Sequence, residues 1–166
     1  MASAPDVAFL RTVILFKDIA EADLKALWPW LKERRLRKGE ALFREGDPGN
    51  EMYFIRSGTV VISKLVTGRV EQVLRRMEPG DFFGEMSLFD QLPRSATVQA
   101  ETAAALLSLN GADLERLTEL SPRASAALFY QMVQVFIRRL RDTSELVAEV
   151  TRWGLESTGL DVGQSS

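Results

Sequence analysis

The chain has 166 residues, of which 46% are apolar and 27% charged, and its formal net charge is −2. This composition fits one globular domain, and the interspersed charges without a basic stripe argue against nucleic acid as a direct partner. The absence of cysteine and histidine excludes disulfides and zinc–thiolate sites and removes the commonest general base. We therefore expect no catalytic residue, no metal and no cofactor.

The N-terminus lacks the features of a targeting segment. Residues 1–6 have no basic start followed by an apolar run, so they are expected to form a short tail rather than a signal peptide. No stretch approaches the roughly 20 apolar residues that span a bilayer. A cytoplasmic protein without membrane contact is expected.

Residues 7–154 are expected to form one domain that begins with helices over 7–32. Apolar side chains fall there at helical spacing, and Pro29 should bend or end the second helix near Trp28. From about residue 34 to 110 the apolar period shortens towards two. Several short strands bounded by Gly, Pro and Asp predict a sandwich or barrel. The expected strands are Ala41–Phe43, Met52–Ile55, Thr59–Leu65, Glu71–Met77, Ala96–Ala100 and Ala104–Leu109.

Helices return over residues 111–153. Asn110 is a suitable N-cap for a short helix, and Ser121 followed by Pro122 begins a longer one. No proline or glycine interrupts that second helix before Gly154, where we expect it to end. Residues 155–166 are rich in Gly, Ser and Thr and are interpreted as a flexible tail.

The last helix carries an apolar stripe with strict 4-3 spacing, interrupted by one polar residue, Thr143. Such a stripe is typical of the seam of a two-stranded coiled coil and predicts a homodimer. The alternative is that the same stripe packs against the strands of its own chain. The seam residues are Phe129, Val133, Phe136, Leu140, Val147 and Val150.

One segment between the strands has the chemistry of an anion site. Gly84 introduces a helical turn whose first amides, from Met86 and Ser87, could bind an anion. Arg94 could pair with two phosphate oxygens, assisted by the hydroxyl of Ser95. Glu85 would accept a hydrogen bond from a sugar hydroxyl, which suggests a nucleotide. The plainer alternative is an ordinary turn in which Arg94 pairs with Glu85.

This segment, Phe83-Gly84-Glu85 followed by Arg94-Ser95-Ala96-Thr97-Val98, resembles the phosphate-binding cassette of the cyclic-nucleotide-binding family. The resemblance implies a mainly β fold with flanking helices: an eight-stranded β-roll (a double-stranded β-helix or jelly-roll) with N-terminal helices and a long C-terminal helix. It also implies that Arg94 binds the cyclic phosphate and Glu85 the ribose 2′-hydroxyl. By position, the sugar and base would be covered by Ile62, Leu74 and Met77, which could equally be plain core residues.

The run Arg138 to Glu145 resembles the dimer helix of the bacterial catabolite-activator family, in which a Thr-Ser pair contacts adenine, one residue from each subunit. The resemblance implies that Thr143 and Ser144 contact the base; the alternatives are a Thr143 that only fixes helix register, or a base capped by Trp153 or Tyr130. No helix-turn-helix follows, so the domain is expected to stand alone or to be part of a larger protein.

The function predicted from these observations is a non-enzymatic sensor that prefers cAMP and signals to an effector protein not identified by the sequence. Alternatives are a cGMP sensor, a ligand-free interaction module that keeps only the fold, and a sensor of a cyclic dinucleotide. A cupin-like oxygenase on a similar roll is disfavoured because such enzymes bind their metal mostly through histidines, and the chain has none.

Overall fold

The structure is a computed structural model that describes residues 5–67 and 70–158, and the chain divides into two compact units between Leu128 and Phe129. The first unit begins with helices α1 (Val7–Thr12) and α2 (Glu21–Leu27), each followed by a short 3-10 turn. The Asp6 carboxylate caps α1 by accepting a 2.9 Å hydrogen bond from the amide of Phe9. The end of α2 at Leu27 confirms the bend or stop that was expected just before Pro29.

Among the described residues, eight strands form two four-stranded sheets, which confirms the predicted β-roll. One sheet has the order β1-β8-β3-β6 and the other β2-β7-β4-β5, and every strand pair is antiparallel. The strands are β1 (Lys32–Leu36), β2 (Ala41–Phe43), β3 (Glu51–Ser57), β4 (Val60–Thr67), β5 (Val70–Met77), β6 (Phe82–Phe83), β7 (Thr97–Ala100) and β8 (Ala104–Asn110).

Strands β1 and β6 were not predicted from the sequence. Strand β1 carries charge at four of its five positions and buries only Leu36, so it lacks an apolar period. It forms because it pairs along its length with β8, which supplies the apolar side chains. The roll therefore begins at Lys32, and the helical region ends with the 3-10 turn at Trp30, two residues before the end of the expected span of residues 7–32. Strand β6 is only two residues long, which is too short for an alternating apolar pattern to be recognised.

The core takes residues from both sheets. Ile55 and Leu106 of the first sheet and Val60 and Val98 of the second belong to one buried cluster. The N-terminal helices add a second contact, because the ring of Phe16 lies 4.8 Å from that of Phe54. Full burial of a large apolar side chain stabilises a fold by about 1.5–3 kcal/mol. This packing fixes the strands between which the candidate site lies.

Helix α4 (Gly111–Leu120) begins as expected, since the Asn110 side chain accepts a 2.8 Å hydrogen bond from the amide of Asp113. Helix α5 runs from Pro122 to Ser157, so the expected end at Gly154 was wrong. A glycine costs a helix only about 1 kcal/mol, and the hydroxyls of Ser157 and Thr158 donate to the Gly154 carbonyl at 2.9 and 3.0 Å. The rest of the expected tail, residues 159–166, lies outside the described residues.

Within the described part of the chain, no helix combines the length and the apolar character needed to cross a bilayer.

Candidate functional site

The site is centred on a short helix, α3 (Met86–Phe89), that follows Gly84. Gly84 has a φ of +80°, a conformation that L side chains rarely adopt. A Cβ at this position would also lie 2.9 Å from Nη1 of Arg94 and 3.0 Å from the carbonyl oxygen of Glu51. Glycine is therefore required here both by the turn and by the close approach of the arginine.

Arg94 is the best-defined side chain of the site and is buried, with 6% of its surface exposed. Its Nη1 donates to the carbonyl oxygens of Glu51 at 2.8 Å and Gly84 at 3.0 Å, and to the hydroxyl of Ser87 at 2.8 Å. These three contacts join β3, the Gly84 turn and α3. The guanidinium is thus fixed at the point where the strands meet the short helix.

Two aromatic rings lie beside the guanidinium. Its Cζ lies 4.1 Å from the ring centroid of Phe43 and 5.6 Å from that of Tyr53. Such cation–π contacts contribute about 0.5–2 kcal/mol each, depending on desolvation. The Nε atom is buried and has no hydrogen-bond partner within residues 5–67 and 70–158. A buried donor without a partner costs about 1–3 kcal/mol, so the site holds unused hydrogen-bonding capacity.

Burial lowers the pKa of Arg94 from its ordinary value, and the nearby Tyr53 and the carboxylates of Glu51, Asp47 and Glu85 oppose that shift. Because a guanidinium titrates far above physiological pH, Arg94 stays charged. The site therefore contains a buried cation that lies beside two aromatic rings, with three carboxylates nearby. An anionic group of complementary shape would be stabilised there.

The structure brings together most of the residues expected to bind phosphate and ribose. Glu85 and Ser87 are buried beside Gly84 and Arg94, and the Ser87 hydroxyl donates to the Gly84 carbonyl at 3.2 Å. Met86 and Ser95 are exposed at the edge of the site, with the Ser95 hydroxyl 3.8 Å from the Met86 sulfur. Their individual roles in binding stay predictions.

The three residues expected to cover the sugar and base lie in different environments. Met77 is part of the buried core cluster and Ile62 packs against it, whereas Leu74 is 55% exposed on β5. The first two therefore have the core role that was the plainer alternative. Their contribution to a pocket wall stays a prediction, as does that of Leu74.

The second unit contains the remaining candidates. The hydroxyls of Thr143 and Ser144 donate to the carbonyls of Arg139 and Leu140, at 2.8 and 2.9 Å, within α5 itself. Phe129 and Phe136 of the expected seam are partly buried. The other four seam side chains are more than half exposed: Val133, Leu140, Val147 and Val150.

Several residues that support the site were missed from the sequence. The hydroxyl of Tyr53 donates to Oε2 of Glu51 at 2.8 Å, and that of Ser108 donates to Oε1 at 3.5 Å. Burial, with the adjacent Glu51 carboxylate, raises the pKa of Tyr53 to about 12. In the sequence, Phe43 and Tyr53 are part of alternating strand patterns that indicate only a core. No group of three Asp or Glu side chains suited to a metal ion occurs among the described residues.

The comparisons with known proteins agree with this geometry. Residues 33–121, more than half of the chain, match the family model described as the cyclic nucleotide-binding domain. The chain belongs to this family and is a cyclic nucleotide-binding regulatory domain. Among its members it is of the catabolite-activator type.

Three relatives illustrate the range of proteins that contain such a domain. A cyclic nucleotide-gated potassium channel of Mesorhizobium japonicum is 39% identical over 68% of this chain and 30% of the channel. A CRP-like cAMP-activated global transcriptional regulator of Mycobacterium tuberculosis is 31% identical over 82% of this chain and 59% of the regulator. The catabolite activator protein of Thermus thermophilus superposes with a TM-score of 0.75 at 28% identity, covering 83% of this chain and 63% of that one.

The chain spans less than two thirds of each of these relatives. The two curated relatives are a regulator and a channel rather than enzymes.

Proposed function

We propose that this domain is a cAMP sensor that binds cAMP in preference to cGMP, has no catalytic activity, and signals to an effector protein through its C-terminal helices. The printed name of the mycobacterial relative, cAMP-activated, supports the choice of nucleotide. The domain bounds 7–154 and the cytoplasmic location expected from the sequence stay predictions.

One observation carries the proposal: the buried, charged Arg94 has an Nε without a hydrogen-bond partner among the described residues. A cyclic phosphate has one negative charge and two free oxygens, which suit the planar donor edge of a guanidinium. Binding would offset the cost of desolvating the cation and supply the missing acceptor. A charged group of this size, rather than a neutral sugar or an apolar molecule, is therefore the ligand that the site favours.

Glu85 explains why the anion should belong to a ribonucleotide. Its buried carboxylate lies on the same turn as the phosphate-binding amides and would repel a bare phosphate. A ligand that also presents a 2′-hydroxyl can donate a hydrogen bond to that carboxylate. In our proposal Arg94 binds the phosphate, Glu85 the ribose, and Thr143 with Ser144 the adenine.

The proposed signal is a shift between two arrangements of the C-terminal helices. A ligand can move such an equilibrium only by the difference in its affinity for the two states. Hydrogen bonds from Thr143 and Ser144 to the base would supply that difference, at about 0.5–1.5 kcal/mol for each neutral bond. Dimerisation through the α5 seam would bring a second helix to the signalling element.

The test is a calorimetric titration of the protein with cAMP, cGMP and 5′-AMP, with ligand-induced thermal stabilisation as a second readout. We expect cAMP to bind most tightly and to stabilise the fold by about 2.7 kcal/mol at 100 times its Kd. Arg94→Ala should abolish the stabilisation, whereas Arg75→Ala, which removes an exposed arginine of β5, should leave it unchanged. An undiminished shift in Arg94→Ala would remove the phosphate assignment.

A second candidate function is a ligand-free interaction module. It is favoured by the three hydrogen bonds of Arg94 Nη1, since a guanidinium so held could serve only to join β3 to α3. The same titration separates the two functions. A wild-type protein that binds none of the three nucleotides, while Arg94→Ala lowers its melting temperature, would establish the structural role.

A further inference from the structure

Gly49, in the loop between β2 and β3, differs from its neighbours Gly39 and Gly46. Those two have φ angles of +81° and +89°, and a Cβ on either would meet nothing within 4 Å. They are glycines because of the backbone conformation. Gly49 lacks a left-handed φ, yet its Cβ would lie 2.2 Å from Nε and 2.4 Å from Cζ of Arg94. Gly49 is therefore a glycine because of the space that the arginine occupies.

We propose that Gly49 is a positioning residue for Arg94, and that the Gly49 backbone and the Phe43 ring together hold the guanidinium ready for the ligand. The ring centroid of Phe43 lies 4.1 Å from Cζ, so the aromatic face limits where the guanidinium can move. The Gly49 backbone limits the movement of the arginine side chain at Nε and Cδ, since a Cβ on Gly49 would lie 2.9 Å from Cδ. Gly49 acts through Arg94 and does not itself touch the nucleotide.

This inference rests on the proposed function, because positioning matters only if Arg94 binds a ligand. A methyl group at position 49 would meet the far end of a long side chain, which can rotate away without moving the backbone. Gly49→Ala should therefore leave the roll folded but displace the guanidinium from its hydrogen bonds to Glu51, Gly84 and Ser87. The expected result is a protein with a weakened phosphate site.

The first experiment tests the contact without nucleotide, in a double-mutant cycle of melting temperatures. Gly49→Ala should lower the melting temperature of the wild type. In an Arg94→Ala background it should have no effect or raise it, because the space is then empty and alanine restricts the unfolded chain. Equal shifts in the two backgrounds would overturn the contact between Gly49 and Arg94.

The second experiment titrates cAMP into the full chain. Gly49→Ala should weaken binding at least tenfold, and Phe43→Leu, which keeps an apolar side chain but removes the ring face, by about threefold to tenfold. Gly154→Ala is the matched control, since a Cβ there meets nothing within 4 Å. Unchanged affinity in folded Gly49→Ala would overturn the positioning role. A coupled thermal cycle in a protein that binds no nucleotide would overturn the proposed function but keep the Gly49–Arg94 contact.

Discussion

The roll and the long helix contain similar apolar side chains, but the two regions differ in how far they bury them. In the roll, Phe54, Ile55 and Leu106 have no exposed surface. In the helix, residues 141–154 are exposed at every position, although Val147 and Val150 belong to a regular apolar stripe. The roll buries a core of its own, although Leu65, Val66 and Leu74 of β4 and β5 are more than half exposed, whereas residues 141–154 of the helix bury no side chain. The difference indicates that the regular stripe of the helix is suited to a partner.

The polar groups of the two regions differ in the same way. In the roll, Arg94 bonds to Glu51, which is 43 residues away in the sequence. In the helix, the hydroxyls of Thr143 and Ser144 bond to carbonyls four residues earlier. Tertiary structure fixes the first contact, whereas any exposed helix could make the second. The proposed contact of the helix hydroxyls with a base would therefore replace only bonds within the helix.

The largest expected effect concerns the seam. Leu140 is 68% exposed at the middle of the stripe. In the proposed dimer, Leu140→Lys would place a charge at a position buried between two helices. Burying an ion without a partner costs several kcal/mol. We expect the dimer dissociation constant, measured by sedimentation, to rise at least 100-fold.

Leu146→Lys is the matched control for the seam, because Leu146 is 59% exposed on the same helix but lies off the 4-3 stripe. It should leave the dimer largely intact. Dimers that persist in Leu140→Lys would refute the seam, and equal dissociation of both variants would indicate a broader interface than a two-stranded coil.

The next effect belongs to the roll. Glu85→Ala should weaken cAMP binding by about 1–3 kcal/mol, because the ribose hydroxyl would lose its buried acceptor. Glu78→Ala, at an exposed carboxylate of the same unit, should have no effect. Titration with 2′-deoxy-cAMP sharpens the result: the deoxy nucleotide gains no hydrogen bond from Glu85 and should bind Glu85→Ala at least as tightly as wild type. A preference for cAMP that survives in Glu85→Ala would place the sugar contact elsewhere.

Most of the strands could be predicted because their apolar period and turn residues are local signals, whereas the β-roll itself was implied by the resemblance to the cyclic-nucleotide-binding family. Strand β1 could not, since its residues are mainly charged and it is a strand only through pairing with β8. The end of α5 was also wrong. Gly154 is a local stop signal, but its cost is too small to end a long helix whose next turn has its own hydroxyl contacts.

The centre of the candidate site was predicted from its pattern, as Gly84, Glu85, Ser87 and Arg94 do come together. The supporting residues were not, because Phe43 and Tyr53 carry the same period as any core strand. Gly49 belongs to a run of turn residues, Gly46 to Gly49. In the sequence, a turn alone accounts for this glycine, so nothing indicates a contact with Arg94. The short distance between Gly49 and Arg94 in the folded chain is what distinguishes a glycine required by space from one required by its φ angle.

The smallest expected effect is the change in cAMP affinity caused by Thr143→Val, which tests whether the helix contributes to binding. Thr143→Val keeps the shape of the side chain and removes the hydroxyl, so cAMP affinity should fall by about 0.5–1.5 kcal/mol if that hydroxyl contacts adenine. Thr151→Val is a close control, since the Thr151 hydroxyl also donates to the carbonyl four residues earlier, at 2.8 Å.

In the Leu140→Lys background the Thr143→Val effect should disappear, because the proposed adenine contact needs the paired helix. Equal affinities for the Thr143 and Thr151 variants would remove Thr143 from the proposed base contact and reduce it to a residue that sets helix register.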